Sequence, residues 1–412
     1  MAVRRVVVTG LGVITPVGND VQSYWEALIQ GKSGIAPVTS FDTAHCPVKV
    51  AAQVHELDAE EILGKHDAKY NSRFMQFARI AAKQAYAASG LHAEAVDPDR
   101  FGVYVSTSIG GIEALEQAYS VFDPHTSSRV SPYLIPNTLV NVASGAIAID
   151  LQAKGPNLAV VTACASGTNS IGEAFKAIQR GDQDVIVAGA ADAAITPLTL
   201  SGFAAMRAMY TGDDPNRACI PFDSERSGTV MGEGAGILIL EELEHAQQRG
   251  APILAEIVGY GANCDAYSIT TPELEGITIS KAMQLALDDA HIASGQVGYV
   301  NAHGTATVLN DKTESRAIER IFGPNSSVPV TSVKSMTGHL LGAGGAVEAV
   351  ASIMSLIDNF IPPTINNKQL DPDCKINVVV NNGVQTELDF VLSNSFGFGG
   401  HNACLVFKKW PS

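Results

Sequence analysis

Short β-branched runs bounded by Gly or Asn recur along the chain, and stretches with apolar residues at helical spacing separate many of them. "RRVVVTG", "FGVYVSTS", "LAVVTA", "DVIVAGA" and "GILILEE" occupy the first part. "ILAEIVGYG", "VGYVNAHG", "VPVTSVK", "INVVVNN" and "FVLSNSFG" occupy the second. Runs of this length and composition predict strands. "DVQSYWEALIQG" starts with Asp20 as an N-cap and stops at Gly31. "RFMQFARIAAKQAYAASG" and "TISKAMQLALDDAHI" carry apolar residues at the i, i+3, i+4 spacing of a helix with one buried face. Strands alternating with helices predict an α/β fold with largely parallel pairing and helices on the sheet faces.

The pattern also repeats. "ILAEIVGYGANCD" echoes "RRVVVTGLGVITP", and "VGYVNAHGTAT" echoes "FGVYVSTSIGG". "PVTSVKSMTGHLLGAGGAVEAVASI" echoes "LAVVTACASGTNSIGEAFKAI": a strand, a small-residue turn, then a Gly/Ala-rich helix. This self-similarity predicts a duplicated core. The halves are residues 1–250 and 251–412, sharing one continuous core, with the helix after Cys164 packed against its counterpart after His339.

Composition narrows the function classes. With 412 residues, 46% hydrophobic but only 6% aromatic, and with 38 glycines, the core is expected to consist of closely approaching helices and sheets. A formal net charge of −15 excludes nucleic acid as a partner, because its phosphates would be repelled. The six cysteines are scattered and form no C-x-x-C pair, which disfavours a zinc site or a disulfide scaffold and fits a reducing, cytoplasmic setting. The start "MAVRRVVVTG" holds no signal-peptide apolar region, and no 18-residue apolar span is expected, so no membrane insertion is expected either.

Glycine loops here are not nucleotide loops. "VVVTGLGVITPVG" lacks the third glycine and meets Pro16 before any helix, and no G-x-x-x-x-G-K-[ST] occurs. Cys164, in "TACASGTN", stands among small residues at the approach to a helix, whose free N–H groups favour a thiolate. A lone cysteine is more often a small buried hydrophobe, so the rest of the chain has to decide. His303 in "VNAHGTAT" and His339 in "MTGHLLGAGG" follow predicted strands at matching positions, which makes a converging Cys/His/His set. Lys334 is placed to orient that set by a charge-assisted bond, and Glu348 to partner Lys334 from the following helix. The bland reading of these two is a solvated lysine and an exposed helix carboxylate.

On "TACASG", "NAHGTAT", "SVKSMTGHLLGAGGAVEA" and "NSFGFGGHNA", the chain resembles the β-ketoacyl-[acyl-carrier-protein] synthases, above all the elongating enzymes of bacterial type II fatty-acid synthesis. The likeness runs from "RRVVVTGLGVITPVGN" to the C-terminus. It implies the thiolase fold, a duplicated five-layered α/β/α/β/α architecture forming homodimers. It implies an acyltransferase that takes acyl and malonyl groups from an acyl carrier protein and requires no metal or redox cofactor. By the same resemblance, Cys164 carries the acyl chain, while His303 and His339 stabilise the enolate left by decarboxylation, supported by Lys334 and Glu348. The N–H groups of Cys164 and Phe398 form the oxyanion hole, and Phe398 is also a gate. Ile109, Phe398 and, across the dimer, Leu134 line the acyl pocket, and Lys65, Lys69, Arg129 and Arg207 face the carrier. The chain departs from the family at Val308, Asn310 and Ser268, where relatives often have Pro, Gly and His. These departures keep polyketide or aryl-polyene ketosynthases open as an alternative. A non-catalytic, chain-length-setting partner subunit is a further one, which the presence of Cys164 disfavours.

Overall fold

The apolar runs pair into one sheet in the computed structural model, which describes residues 3–126 and 130–411. Among the described residues this sheet has eleven strands. From one edge they run Asn157–Leu158, Phe101–Ser106, Val185–Asp192, Gly234–Glu242 and Val6–Ile14. The order continues with Ala255–Cys264, His401–Lys409, Phe390–Gly397, Tyr299–Asn301, Pro329–Thr331 and Asn377–Val378. Numbered by chain order within each half, the first five read third, second, fourth, fifth, first. The next five read first, fifth, fourth, second, third, with Asn377–Val378 added outside. The echo in the sequence is thus an echo in topology.

The two halves meet along a short antiparallel seam, Val6 to Val8 against Ala255 to Ile257. Half of the neighbouring strand pairs are antiparallel rather than the largely parallel arrangement expected. Within each half, the last strand returns between the first and the fourth and runs against both. Only the outer strands keep the parallel βαβ pairing.

The helices Ser166–Arg180 and Gly344–Asp358 pack on each other, and each also touches strands of both halves. They form the middle layer. Arg73–Ala88 covers the outer face of the first half, and Ile277–Asp289 that of the second, which completes five layers: helix, first half of the sheet, the two central helices, second half of the sheet, and helix. Val6–Ile14, Val185–Asp192 and Gly234–Glu242 are buried at every residue, as strands covered on both faces must be. The central helices approach closely because glycines face the crossing. A Cβ at Gly345 would lie 2.0 Å from Thr168 Oγ1, and one at Gly167 would lie 2.7 Å from the Gly342 carbonyl oxygen. Residues 341–358, expected to be no membrane-length apolar span, are in fact long and apolar enough to be one. They are mostly buried in the protein as this central helix.

Asp20 caps its helix as expected, accepting from the Ser23 N–H at 2.8 Å. "LAVVTA" behaves differently: only Asn157–Leu158 is strand, and the chain then turns inward before the helix begins at Ser166.

Candidate active site

The turn before Ser166 is strained, and the strain sets the cysteine. Ala163 has φ +51°, opening a 3-10 turn over Ala163–Ala165 that runs into the helix. Its counterpart in the second half does the same: Leu341 has φ +52° and opens the turn Leu341–Ala343 before Gly344–Asp358. Left-handed backbone at a non-glycine residue is costly and persists only where packing fixes it. The duplication therefore places Gly342 where the first half has Cys164. One half of a symmetric scaffold carries a thiol, and the other carries an atom-sparing glycine.

Cys164 is buried, and the backbone N–H groups of Phe398 and of Cys164 itself face its sulfur. Burial pushes the thiol up to about 11, while Lys334 and those two N–H groups pull it down. Desolvation thus outweighs the helix approach, and the resting group is a thiol rather than the thiolate that its position suggests. Ser166 braces the turn, accepting from the Thr162 N–H at 2.9 Å and donating to the Ala163 carbonyl at 2.7 Å.

His303 follows the strand Tyr299–Asn301, and its ring stands edge-on to that of His339, with centroids 5.3 Å apart. Phe396 packs edge-on against His303 at 5.7 Å. Both imidazoles are buried, and burial, reinforced by the nearby Lys334 charge, holds both well below the ordinary histidine value. They are neutral, so each carries one ring N–H and one acceptor nitrogen. Lys334 Nζ lies 3.4 Å from His303 Nδ1. An ammonium can only donate, so Nδ1 is the acceptor and Nε2 keeps the proton. Lys334 also donates to the Glu348 carboxylate, with both side chains fully enclosed. Burial pushes Glu348 up and Lys334 pulls it back.

Cys164, His303, His339 and Phe398 line one cavity of about 290 Å³, with Lys334 and Glu348 buried behind it. Arg207, exposed and with φ +56°, lines the same cavity, as do the departing residues Val308, Asn310 and Ser268. Ile109 does not line it. Its side chain packs on an apolar cluster with Leu200, Met209 and Leu341, against which Phe203 of the cavity wall also packs. Leu134 begins the short helix Leu134–Thr138, also away from the cavity. Lys65 and Lys69 are exposed in a separate shallow depression beside Glu56, Asp58 and Glu60. Arg129 lies outside the described residues.

Several residues escaped the sequence reading. Glu314 accepts the N–H groups of His303 and Gly304, each at 2.8 Å, and so fixes the loop that carries the histidine. Burial pushes its carboxyl up to about 7 against those two donors. Asp311, one turn earlier on the same helix face, accepts from Phe222 and Ala306. Two acids three residues apart in "LNDKTESR" were the available signal. Phe203 stacks on Phe398, with centroids 6.2 Å apart and planes at 22°.

A buried thiol, two backbone N–H donors beside it and two neutral imidazoles facing one cavity suit covalent acyl transfer followed by stabilisation of an enolate. Comparison with known proteins agrees. Residues 3–246 match the model of the beta-ketoacyl synthase N-terminal domain, and residues 254–368 match that of the C-terminal domain. The chain is 47% identical over 409 residues to 3-oxoacyl-[acyl-carrier-protein] synthase 2 of Synechocystis sp., covering 99% of this chain and 98% of the relative. It is 47% identical over 410 residues to the protein of that name from Staphylococcus aureus (strain COL), covering 99% of each. Among solved structures, a beta-ketoacyl synthase from Burkholderia phymatum superposes with TM-score 0.93 at 32% identity, covering 99% of this chain and all of the other. The ishigamide ketosynthase/chain length factor gives 0.92 at 36% identity, with full coverage of both. A type II PKS ketosynthase in complex with its acyl-carrier protein gives 0.92 at 33%, covering 99% of this chain and all of the other.

Proposed function

This chain belongs to the β-ketoacyl synthase family, and from that premise we propose that Cys164 carries the acyl chain while His303 and His339 drive decarboxylation. It is a β-ketoacyl-[acyl-carrier-protein] synthase, an acyltransferase. Its thiolase-like architecture is that of its structural neighbours. The neutral histidine pair beside a buried thiol in one cavity carries the assignment of roles.

In the first half-reaction the Cys164 sulfur attacks the thioester carbonyl of an acyl carrier protein. Since the resting thiol is protonated, its proton passes to the departing carrier sulfur as the new bond forms. The carrier's sulfur departs with a proton, and the acyl group stays on Cys164. Malonyl carrier protein then binds and releases CO2, and its electrons collect on the thioester oxygen. The ring N–H groups of the two histidines donate to that oxygen. The enolate carbon attacks the acyl-Cys164 carbonyl, and the resulting oxyanion is received by the N–H groups of Cys164 and Phe398. Collapse expels the Cys164 sulfur, which takes up a proton from water to restore the resting thiol, and leaves the β-ketoacyl group on the carrier. Lys334 holds His303 Nδ1 as an acceptor, which keeps the Nε2 proton in the donating position. Phe398, resting on Phe203, closes the cavity before an acyl chain enters.

The carrier is acidic, and Arg207 at the cavity is the charge best situated to meet it, with Lys65 and Lys69 as the wider patch and Arg129, outside the described residues, assigned to it by the family resemblance alone. A homodimer is supported by the free sheet edge Asn157–Leu158, beside which Ile149, Leu158 and Val161 are exposed. Pairing there also suits Leu134 as a pocket residue contributed across the dimer. The halves 1–250 and 251–412 as one core are supported by the recurring strand order and by an apolar cluster that draws on both. A cytoplasmic setting is supported by six unpaired cysteines. The 47% identity to 3-oxoacyl-[acyl-carrier-protein] synthases, against 33% to the type II PKS ketosynthase, favours fatty acyl elongation over a polyketide role.

Intact-mass measurement after mixing with a long acyl carrier protein, then malonyl carrier protein, tests the reading. An acyl adduct on Cys164 that discharges into β-ketoacyl product is expected. No adduct on folded protein would return Cys164 to the role of a core residue.

A further inference from the structure

Asp192 ends the strand Val185–Asp192 and is fully buried. Among the described residues no Lys, Arg or His forms an ion pair with it. An isolated buried carboxylate is costly unless donors surround it. Here the donors come from one short segment. Thr107 Oγ1 donates to Asp192 Oδ1 at 2.6 Å, the Ser108 N–H approaches both carboxylate oxygens at 3.1 Å, and the Ile109 N–H also donates. Thr107 Oγ1 in turn accepts the Gly110 N–H at 3.1 Å, where the chain turns at φ +72°. The carboxylate therefore holds the whole of residues 107–110.

The opposite side of Asp192 is equally confined. A Cβ at Gly342 would lie 2.8 Å from Asp192 Oδ2 and 2.9 Å from the Ser108 nitrogen. The clamp is thus wedged between the Ile109 loop and the strained turn that follows His339. Ile109, on the clamped segment, packs on the same apolar cluster as Phe203, which lines the Cys164 cavity.

From this geometry we propose that Asp192 is a positioning residue that locks the loop bearing Ile109, and so sets the longest acyl chain the pocket accepts. The inference rests on the reading of Cys164 as the acyl carrier and of Ile109, which does not itself line the cavity, as a residue that backs Phe203 of its wall through their shared apolar cluster. Asn at position 192 keeps the volume but replaces one acceptor oxygen with an NH2 group, which faces N–H donors and repels them. The loop then loosens, Ile109 yields, and longer chains gain relative to shorter ones.

The test compares kcat/KM for carrier proteins loaded with short and long saturated acyl chains, in wild type, Asp192→Asn, Ile109→Ala and the double variant. Thr107→Val, which removes a single donor, serves as a milder variant if Asp192→Asn does not fold. Asp192→Asn is expected to raise the long-to-short ratio about tenfold, through KM for the long chain, with a smaller rise for Thr107→Val. In the double variant Asp192→Asn should add little to Ile109→Ala, because both act through one wall. A ratio that stays constant or falls, or effects that simply multiply in the double variant, overturns the role of Asp192. If wild type itself takes no acyl group on Cys164, the reading beneath the proposal fails instead, and the proposal with it.

Discussion

Lys334 Nζ lies 3.4 Å from His303 Nδ1 while its other contact is the enclosed Glu348 carboxylate, so one lysine links a neutral base to a buried acid. Removing it has two separable consequences. Lys334→Met deletes the donor that fixes the His303 tautomer, and decarboxylation of malonyl carrier protein, followed as CO2 release, should fall about a hundredfold. It also leaves Glu348 buried without its partner, a loss of about 3–5 kcal/mol in chemical denaturation. Adding Glu348→Gln should restore most of the stability and none of the decarboxylation. If both recover together, Lys334 serves the fold alone.

The stacked pair Phe203 and Phe398 bears on the order of substrates. An offset stack contributes about 0.5–1.5 kcal/mol beyond burial, enough to bias a gate severalfold. Phe203→Ala should therefore let Phe398 swing without an acyl chain in place, raising decarboxylation of malonyl carrier protein by unacylated enzyme about two- to tenfold. The same variant should load acyl chains onto Cys164 no more slowly than wild type. A decarboxylation rate unchanged without acyl primer would separate Phe203 from the gate.

The legible parts of this protein are those whose signal is local. The β-branched runs of Val6–Ile14 and Val185–Asp192 announce themselves because each is covered on both faces and needs an unbroken apolar sequence. Cys164, His303 and His339 could be assembled from sequence because each comes within eight residues of the end of a strand, in a stretch with small residues beside it. Asp192 could not, since a carboxylate looks the same in sequence whether water or backbone N–H groups surround it, and Glu314 offered only its three-residue spacing from Asp311. The donors of Asp192 lie more than 80 residues away, at Thr107 and Ser108. The antiparallel return of His401–Lys409 between two strands was hidden for the same reason, because pairing partners are chosen by tertiary packing. The start of the helix at Ser166 was obscured by the left-handed turn at Ala163, which composition does not reveal.

His245 adds a pH dependence far from the cavity. It donates from Nδ1 to Glu241 at 2.6 Å, and that bond, with the Ala95 carbonyl as a further acceptor, raises it above the ordinary 6.5. Glu241 itself is buried and is also held by Arg249 and Thr9. A histidine whose folded pKa is raised stabilises the protein fully below the unfolded value and loses that stabilisation as pH rises through the folded one. Wild type should therefore exceed His245→Gln by about 1–2 kcal/mol near pH 6, and the gap should close as the buffer is taken towards pH 9. Thermal denaturation across that range decides it. A gap that does not vary with pH means that the ring contributes by packing alone.

Docking must work against the chain's overall charge, and this makes Arg207 the informative residue. With a net charge of −15, an acidic carrier is repelled by most of the surface and can approach only where positive charge is local. Lys65 and Lys69 sit among Glu56, Asp58 and Glu60, so their field is largely cancelled. Arg207 stands exposed at the cavity, and among the described residues no carboxylate forms an ion pair with it. Arg207→Glu should raise KM for carrier-bound acyl substrate about tenfold at low salt, with kcat less affected, because contacts of this kind steer encounter. The difference should shrink as salt shortens the screening length. Lys65→Glu with Lys69→Glu should move KM less than Arg207→Glu does. Equal effects would place the carrier across the whole patch, and an unchanged KM for Arg207→Glu at low salt would remove this residue from docking.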